Sequence, residues 1–241
     1  MTADAAPQKR SGLSVVWDVV VAPKSAFESL RARPQWLWAF LAVCVLGMIG
    51  AFLQVPAGQH IAVATIQRQA AHDPSMASLT PAELQRSIQI AQTVQKFVWL
   101  FYPIIAIIGI LVAAVVLLIG NAIARGTGNF GRLFALATNV AVINFGLGYL
   151  VIGALSALRG PEEFSSQTDL IKLVPSLSWL VPGAEPKVVA LLNAFNPFQI
   201  WSFILLALGL GTIAELKPVP AYVIAALVSF GAVVFVVPFV K

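Results

Sequence analysis

Apolar residues along this chain gather into five long runs, Trp36–Val55, Phe97–Ala124, Leu133–Leu158, Pro197–Glu215 and Pro220–Val240, separated by polar connectors. Each run approaches or exceeds the ~20 helical residues that cross a hydrocarbon core of ~30 Å at ~1.5 Å per residue. Hydrocarbon offers the backbone no hydrogen-bond partner, so segments this long within it form helices that satisfy their own N–H and C=O groups. The pattern predicts an all-α polytopic membrane protein. It has five transmembrane helices, at about 36–55, 97–124, 133–158, 197–215 and 220–240, within a membrane domain over 34–241.

The connectors carry patterns of their own. Residues 1–11 are small and polar and are expected to form a disordered tail. Over 12–33, Leu13, Val16, Trp17 and Val20 fall at one helical stripe, Pro23 interrupts, and Phe27 and Leu30 follow with Lys24, Arg31 and Arg33 on other sides. This is an amphipathic cytoplasmic segment, suited either to the headgroup plane or to packing on the ends of the bundle. Pro34 suits the first turn of the first span, and Trp36 and Trp38 lie at interface depth. After Val55, Pro56 and Gly58 break the helix, Ile61–Ala71 resumes it, and Asp73-Pro74 turns. Thr80-Pro81-Ala82-Glu83 then has the cap, first-turn proline and third-position acid of a helix start. An extracytoplasmic helical hairpin is therefore expected, its second arm running into the second span with a kink near Pro103. The 159–196 connector holds a turn at Gly160-Pro161, an apolar stretch over Leu170–Leu180 and a short helix over Pro186–Ala194. The last four spans form two hairpins of like orientation, each preceded by an outer amphipathic helix, which suggests a weak parallel duplication.

Composition agrees with the runs: 59% of residues are hydrophobic, 10% are charged, and the mean hydropathy is +0.88. Soluble domains carry about 25% charged residues, so no second, soluble domain is expected here. The first apolar run lies behind a polar stretch and is too long for a signal-peptide core of ~7–15 residues, so no cleavable leader is expected. The net charge of +5 lies in cations scattered at the ends of the runs, without an aromatic-interleaved patch, and nucleic acid is not an expected partner. With the N-terminus inside, segments 1–35, 125–132 and 216–219 hold eight Lys and Arg in 47 residues, against seven in 80 on the other side. This bias predicts a protein of the inner (cytoplasmic) membrane, N-terminus cytoplasmic and C-terminus extracytoplasmic.

Chemistry-bearing patterns are sparse. Gly126-Thr127-Gly128-Asn129-Phe130-Gly131 spells a dinucleotide fingerprint, but it lies between two membrane helices and no acid follows until Glu162, so the glycines are read as a tight reversal. His60 and His72 lack further ligands at metal spacing, and Cys44 is alone; no metal, cofactor or catalytic constellation is expected. Glu215 and Lys217 are expected to form an adjacent-turn ion pair. Asn139 and Asn144 in the third run are candidate interhelical polar contacts, or residues lining a substrate path. Small residues four apart, Gly109/Ala113, Gly120/Ala124 and Ala207/Gly211, favour close helix approach within the bundle or between copies. The cations at the inner rim, Arg31, Arg33, Arg125 and Arg132, are candidate contacts for lipid or a partner, since each basic residue beside anionic headgroups contributes about 1 kcal/mol.

Three stretches carry a family resemblance. They are Pro23-x-x-x-Phe27-x-x-Leu30 with Pro34-x-Trp36, then Phe130-Gly131-Arg132-Leu133-Phe134-Ala135, and Phe195-Asn196-Pro197-Phe198-Gln199-Ile200-Trp201 with Leu205-Leu206-Ala207-Leu208-Gly209-Leu210. Over roughly 15–240 the chain resembles the bacterial branch of the Yip family, the Ypt/Rab-interacting multi-pass membrane proteins. The resemblance implies five spans and a cytoplasmic N-terminus. The chain lacks the Asp-Leu-Tyr-Gly-Pro type motif of eukaryotic members and has Asn144-Phe145-Gly146 where many relatives carry a Tyr-containing stretch, so the eukaryotic role in binding small GTPases is not carried over. The expected function is non-enzymatic: binding a partner or organising lipid, with the bilayer, its anionic lipids, another membrane protein or a second copy as partners. The alternative is a transporter or channel subunit for a small or lipidic solute.

Overall fold

The computed structural model describes residues 11–73 and 79–236 and, within them, is helical without strands. The tail before Ser11, the Pro74 turn and the residues after Val236 lie outside the described residues. Helices α1 (Gly12–Val21) and α2 (Pro23–Ala32) lead into α3 (Leu37–Leu53) and α4 (Val55–His72). Then come α5 (Pro81–Phe97), a 3-10 turn over Val98–Phe101, α6 (Tyr102–Ile123) and α7 (Phe130–Ala141). A π-helical segment over Val142–Gly148 joins α7 to α8 (Tyr149–Arg159). Two short helices, α9 (Gln167–Ile171) and α10 (Pro186–Asn193), precede α11 (Pro197–Ile213) and α12 (Pro218–Val236).

Length and apolarity let two of these helical stretches cross a bilayer unaided, Pro81–Ile123 and Phe130–Arg159. The pairs α3–α4 and α10–α11 qualify if each is counted as one span, although they bend by 53° and 47°. The number is thus two to four among the described residues, with Pro218–Gly231 shorter and also apolar.

The bundle forms around α7 and α11. Their Leu133, Ala135, Leu136, Leu205, Leu210 and Ile213 are fully buried against Ala106, Ala114 and Leu117 of α6 and Ala225 of α12. The α3–α8 contact is a backbone contact: a Cβ on Gly153 would lie 2.7 Å from Gly50 Cα, and one on Gly50 2.7 Å from Leu150 N. Outward-facing aliphatics such as Ile104, Ile108, Val112 and Ile119 on α6 remain exposed, as on a surface solvated by lipid tails.

Several local expectations are met and others corrected. Thr80 caps α5 in a capping box with Glu83, and Pro81 sits in its first turn. Pro56, expected to break a helix, instead starts α4: in a first turn its missing N–H costs nothing, so the interruption contracts to a bend at Gln54. The kink expected near Pro103 is the 3-10 turn before α6. The stripe read on α1 splits into two faces. Val15 and Val19 are buried, with Val16 and Val20 packed beside them, while Leu13 and Trp17 point outward with Val21. The reason is that α1 is apolar nearly all round, so it can cover the bundle and still present an apolar face away from it.

Contacts sort the connectors to two ends. At one end α1 and α2 pack on α3, α7 and α11, beside the 125–129 turn and the end of α11. At the other, α4 packs on α5 and on the 160–173 connector. There His60 Nδ1 lies 2.9 Å from the Phe164 carbonyl, Arg68 donates to the Ser165 carbonyl at 2.6 Å, and Phe164, Leu170 and Leu173 close over Ala57 and Ile61.

Candidate functional site

At the end that carries α1 and α2, a small set of side chains ties three separate segments together. Pro23 opens α2 in the one turn where its missing N–H is harmless. Ala26, Phe27 and Leu30 are fully buried, and α2 packs across α11. This places Arg31, next to Leu30, at the rim. Its guanidinium pairs with Glu215 and reaches the Thr212 carbonyl at 3.5 Å. Glu215 has φ +54°, a left-handed conformation that ends α11 and turns its side chain back to the rim. Thr127 Oγ1 donates to the other carboxylate oxygen at 3.1 Å, and Thr127 N–H donates to the Ala214 carbonyl at 2.9 Å. The ion pair expected between Glu215 and Lys217 is thus replaced by one to a residue far away in sequence.

The glycine turn is built around Asn121 in the last turn of α6, which is 4% exposed. Its amide donates to the carbonyls of Gly128, at 2.9 Å, and Gly126, at 3.5 Å, while its oxygen accepts from Gly128 N–H at 3.4 Å. A Cβ on Gly126 would sit 2.6 Å from Leu216 Cδ2 as well as on the Asn121 oxygen, so glycine is required by space. Asn129 caps α7 by accepting from Arg132 N–H at 3.0 Å. Arg125 has φ +56° and ends α6 as Glu215 ends α11.

Of the four rim arginines, therefore, Arg31 is committed to an internal pair. Among the described residues, the exposed side chains of Arg33 and Arg125 have no hydrogen-bond or ion-pair partner, and Arg132 is half-buried. The same end of the bundle exposes apolar groups: Leu13, Trp17 and Val21 on α1, with Trp36 and Trp38 at the start of α3. This end of the bundle thus exposes both cations and large apolar side chains, the two kinds of group that a headgroup-level contact uses.

The two asparagines lie deeper. Asn139 donates to the carbonyls of Gln35 and Ala135, both at 2.8 Å, and its oxygen is buried without a partner. Asn144, in the π segment, donates to the Gln199 side chain, whose own amide donates to the Ser229 carbonyl. Both asparagines thus bond to other segments of the bundle. Tyr102 donates to the Phe145 carbonyl in the same π segment. Glu215, Thr127 and Asn121 were missed as parts of one cluster. Asn121 had a signal, an amide in the last turn of an apolar run just ahead of Gly-x-Gly. Among the described residues no group of three or more His, Cys, Asp or Glu side chains could hold a metal.

The Yip1 domain model matches residues 17–240. A relative, the membrane protein YknW of Bacillus subtilis (strain 168), is 25% identical over 232 residues, covering 94% of this chain and 91% of that one. No solved structure matches. A family model that runs from α1 into the end of the chain takes in the rim, the glycine turn and the π segment together, and the chain belongs to the Yip1 domain family.

Proposed function

We propose that this Yip1-family membrane protein works without catalysis, by docking its basic rim and N-terminal helices on anionic lipid headgroups and so organising the lipid around it. It sits in the inner (cytoplasmic) membrane with five spans, its N-terminus in the cytoplasm and its C-terminus outside. The twofold density of Lys and Arg on the segments gathered at the α1–α2 end supports that orientation. One observation carries the docking reading. Arg31 is spent on the internal pair with Glu215, while Arg33 and Arg125 are exposed and unpaired at the end of the bundle that also exposes Leu13, Trp17 and Val21. Each unpaired cation near an anionic surface contributes about 1 kcal/mol, and burying the aromatic and aliphatic face adds to it.

The test is lipid retention by the full chain extracted in mild detergent, with Arg33, Arg125 and Arg132 all changed to Gln. Loss of most co-purified anionic lipid at unchanged yield supports the reading. Unchanged lipid with loss of a co-purifying protein or of a second copy would transfer the rim to a protein partner. Unchanged retention of both would leave the arginines as determinants of orientation only. A second reading, a transporter or channel subunit, is favoured by Asn144 and its polar neighbours inside the bundle. Flux into proteoliposomes, abolished by Asn139→Leu and Asn144→Leu, would bring it forward.

A further inference from the structure

Serine and threonine hydroxyls inside helices ordinarily satisfy themselves by donating to a carbonyl three or four residues back. Thr138 does so to Phe134 O at 2.7 Å, Thr212 to Leu208 O at 3.0 Å and Ser156 to Gly153 O at 2.9 Å. Ser202 on α11 and Ser229 on α12 do not. They are 4% and 7% exposed, and neither Oγ has a hydrogen-bond partner. A buried hydroxyl left unpaired is costly, and in native structures it marks a place where a water or ligand belongs.

Two amides, Asn144 and Gln199, lie near their level of the bundle. Ser202 lies two helical turns before Gly209, on the same face of α11, and a Cβ on Gly209 would meet Leu136 of α7. Since α11 and the α7–α8 segment run antiparallel, two turns further along places Ser202 at the start of the π segment. Asn144 and Gln199, bonded to each other, lie within a turn of it on either element. Gln199 then reaches the Ser229 carbonyl, and Ser229 continues the buried stripe of Ala221 and Ala225. The π segment itself departs from the i to i−4 bonding of an α-helix, and Tyr102 occupies one of its carbonyls, that of Phe145.

We propose that Ser202, Ser229, Asn144 and Gln199 form an internal site, between the π segment, α11 and α12, that binds a small neutral hydrogen-bonding molecule, water in the resting protein. Neutral ligands fit because none of the four side chains ionises, and a buried charge there would have nothing to offset it. Two hydroxyls and two amides supply the two to four polar partners that a buried water takes. The site is independent of the rim arginines.

The test uses the full chain in proteoliposomes with Cys44→Ala, carrying Ser202→Cys, Ser229→Cys or, as a dry control on the same helix, Ala207→Cys. Methanethiosulfonate reacts with the thiolate, which forms only where water is at hand, so the two serine positions are expected to label about tenfold faster than Ala207→Cys. Equal, slow labelling at all three positions would overturn the proposal. If the cysteine variants fail to fold, the wild-type chain in nanodiscs decides. Magnetisation transfer from bound water to the side-chain amides of Asn144 and Gln199 supports the site, and its absence overturns it.

Discussion

Gly153 and Asn144 lie on one long helical segment, yet they meet their neighbours in opposite ways. Against α3 the segment presents glycine, and Gly50 and Gly153 bring two backbones into van der Waals contact with no polar side chain between them. Against α11 and α12 it presents Asn144, and contact runs through a chain of amides with unpaired hydroxyls beside it. Lipid tails are as apolar as leucine, so neither seam can draw on the hydrophobic effect to hold helices together. The glycine seam relies on dispersion at close range and tolerates no added atom. The amide seam relies on hydrogen bonds, and its strength depends on which partner is removed.

The largest expected effect follows from that intolerance. Gly153→Val places its Cβ against the Gly50 backbone, which cannot swing aside as a side chain could, and destabilises the bundle by ~3 kcal/mol or more. Gly131→Ala, which meets only Asn129 Oδ1 at 3.7 Å, shifts stability by less than ~0.5 kcal/mol. Denaturant-driven unfolding in mixed micelles measures both. Equal losses at the two positions would mean that close backbone approach is not what distinguishes the glycine seam.

The amide seam should behave non-additively. Gln199→Leu leaves the part-buried Asn144 amide without its partner and costs about 1 kcal/mol. Adding Asn144→Leu removes the stranded group, so the double variant is expected to be closer to wild type than Gln199→Leu alone. A double-mutant cycle in the same unfolding assay reads the coupling. Simple additivity would show that the Asn144–Gln199 bond does not hold this seam.

How much of this the sequence disclosed depended on distance along the chain. The Thr80 cap and the first-turn Pro81 were legible because capping is settled within one helical turn. By contrast Pro34, expected in the first turn of the first span, lies three residues before α3, and Pro56 starts the helix it was expected to break. Asn144 stood out as an amide in an apolar run, but its partner lies on α11, and nothing local names Gln199 among the other polar residues. The Arg31–Glu215 pair was hidden more deeply. It requires α2 to lie across the end of α11 and Glu215 to adopt a left-handed φ, whereas proximity in sequence favoured Lys217. No local pattern announces the π segment. Its contacts come from far along the chain: the Tyr102 hydroxyl bonds the Phe145 carbonyl, and Gly146 and Gly148 pack beside Leu46 and Phe198. The two faces of α1 were blurred for another reason, since a helix apolar nearly all round has no single stripe to read.

The two ends of the bundle give smaller effects. Glu215→Gln removes the charge that holds Arg31, but the pair is nearly half exposed, so the loss is at most about 1 kcal/mol. It is expected to appear as faster hydrogen exchange in α2 alone. Exchange rising equally in α8 would mean that the pair braces the whole bundle.

At the opposite end, partial burial pushes the Asp169 carboxyl up. Hydrogen bonds from Ser166 and Ser165 outweigh this and hold it below its usual value. A carboxyl lowered in the folded state stabilises the 160–173 connector above the ordinary Asp value of ~3.9, and that contribution fades as pH falls through the folded value. Hydrogen-exchange protection in the connector, taken relative to the intrinsic exchange rate at each pH, is therefore expected to fall in acid, with Asp169→Asn flattening the dependence. An unchanged pH profile in Asp169→Asn would remove this carboxylate from the account.

Sidedness tests the whole most directly. In intact cells carrying Cys44→Ala, Leu180→Cys is expected to react with an impermeant thiol reagent added outside. Gly131→Cys, beside the rim, is expected to react only after the membrane is opened. Reaction of both from the same side, or of Gly131→Cys alone from outside, would contradict a bundle that spans the bilayer with its basic rim in the cytoplasm.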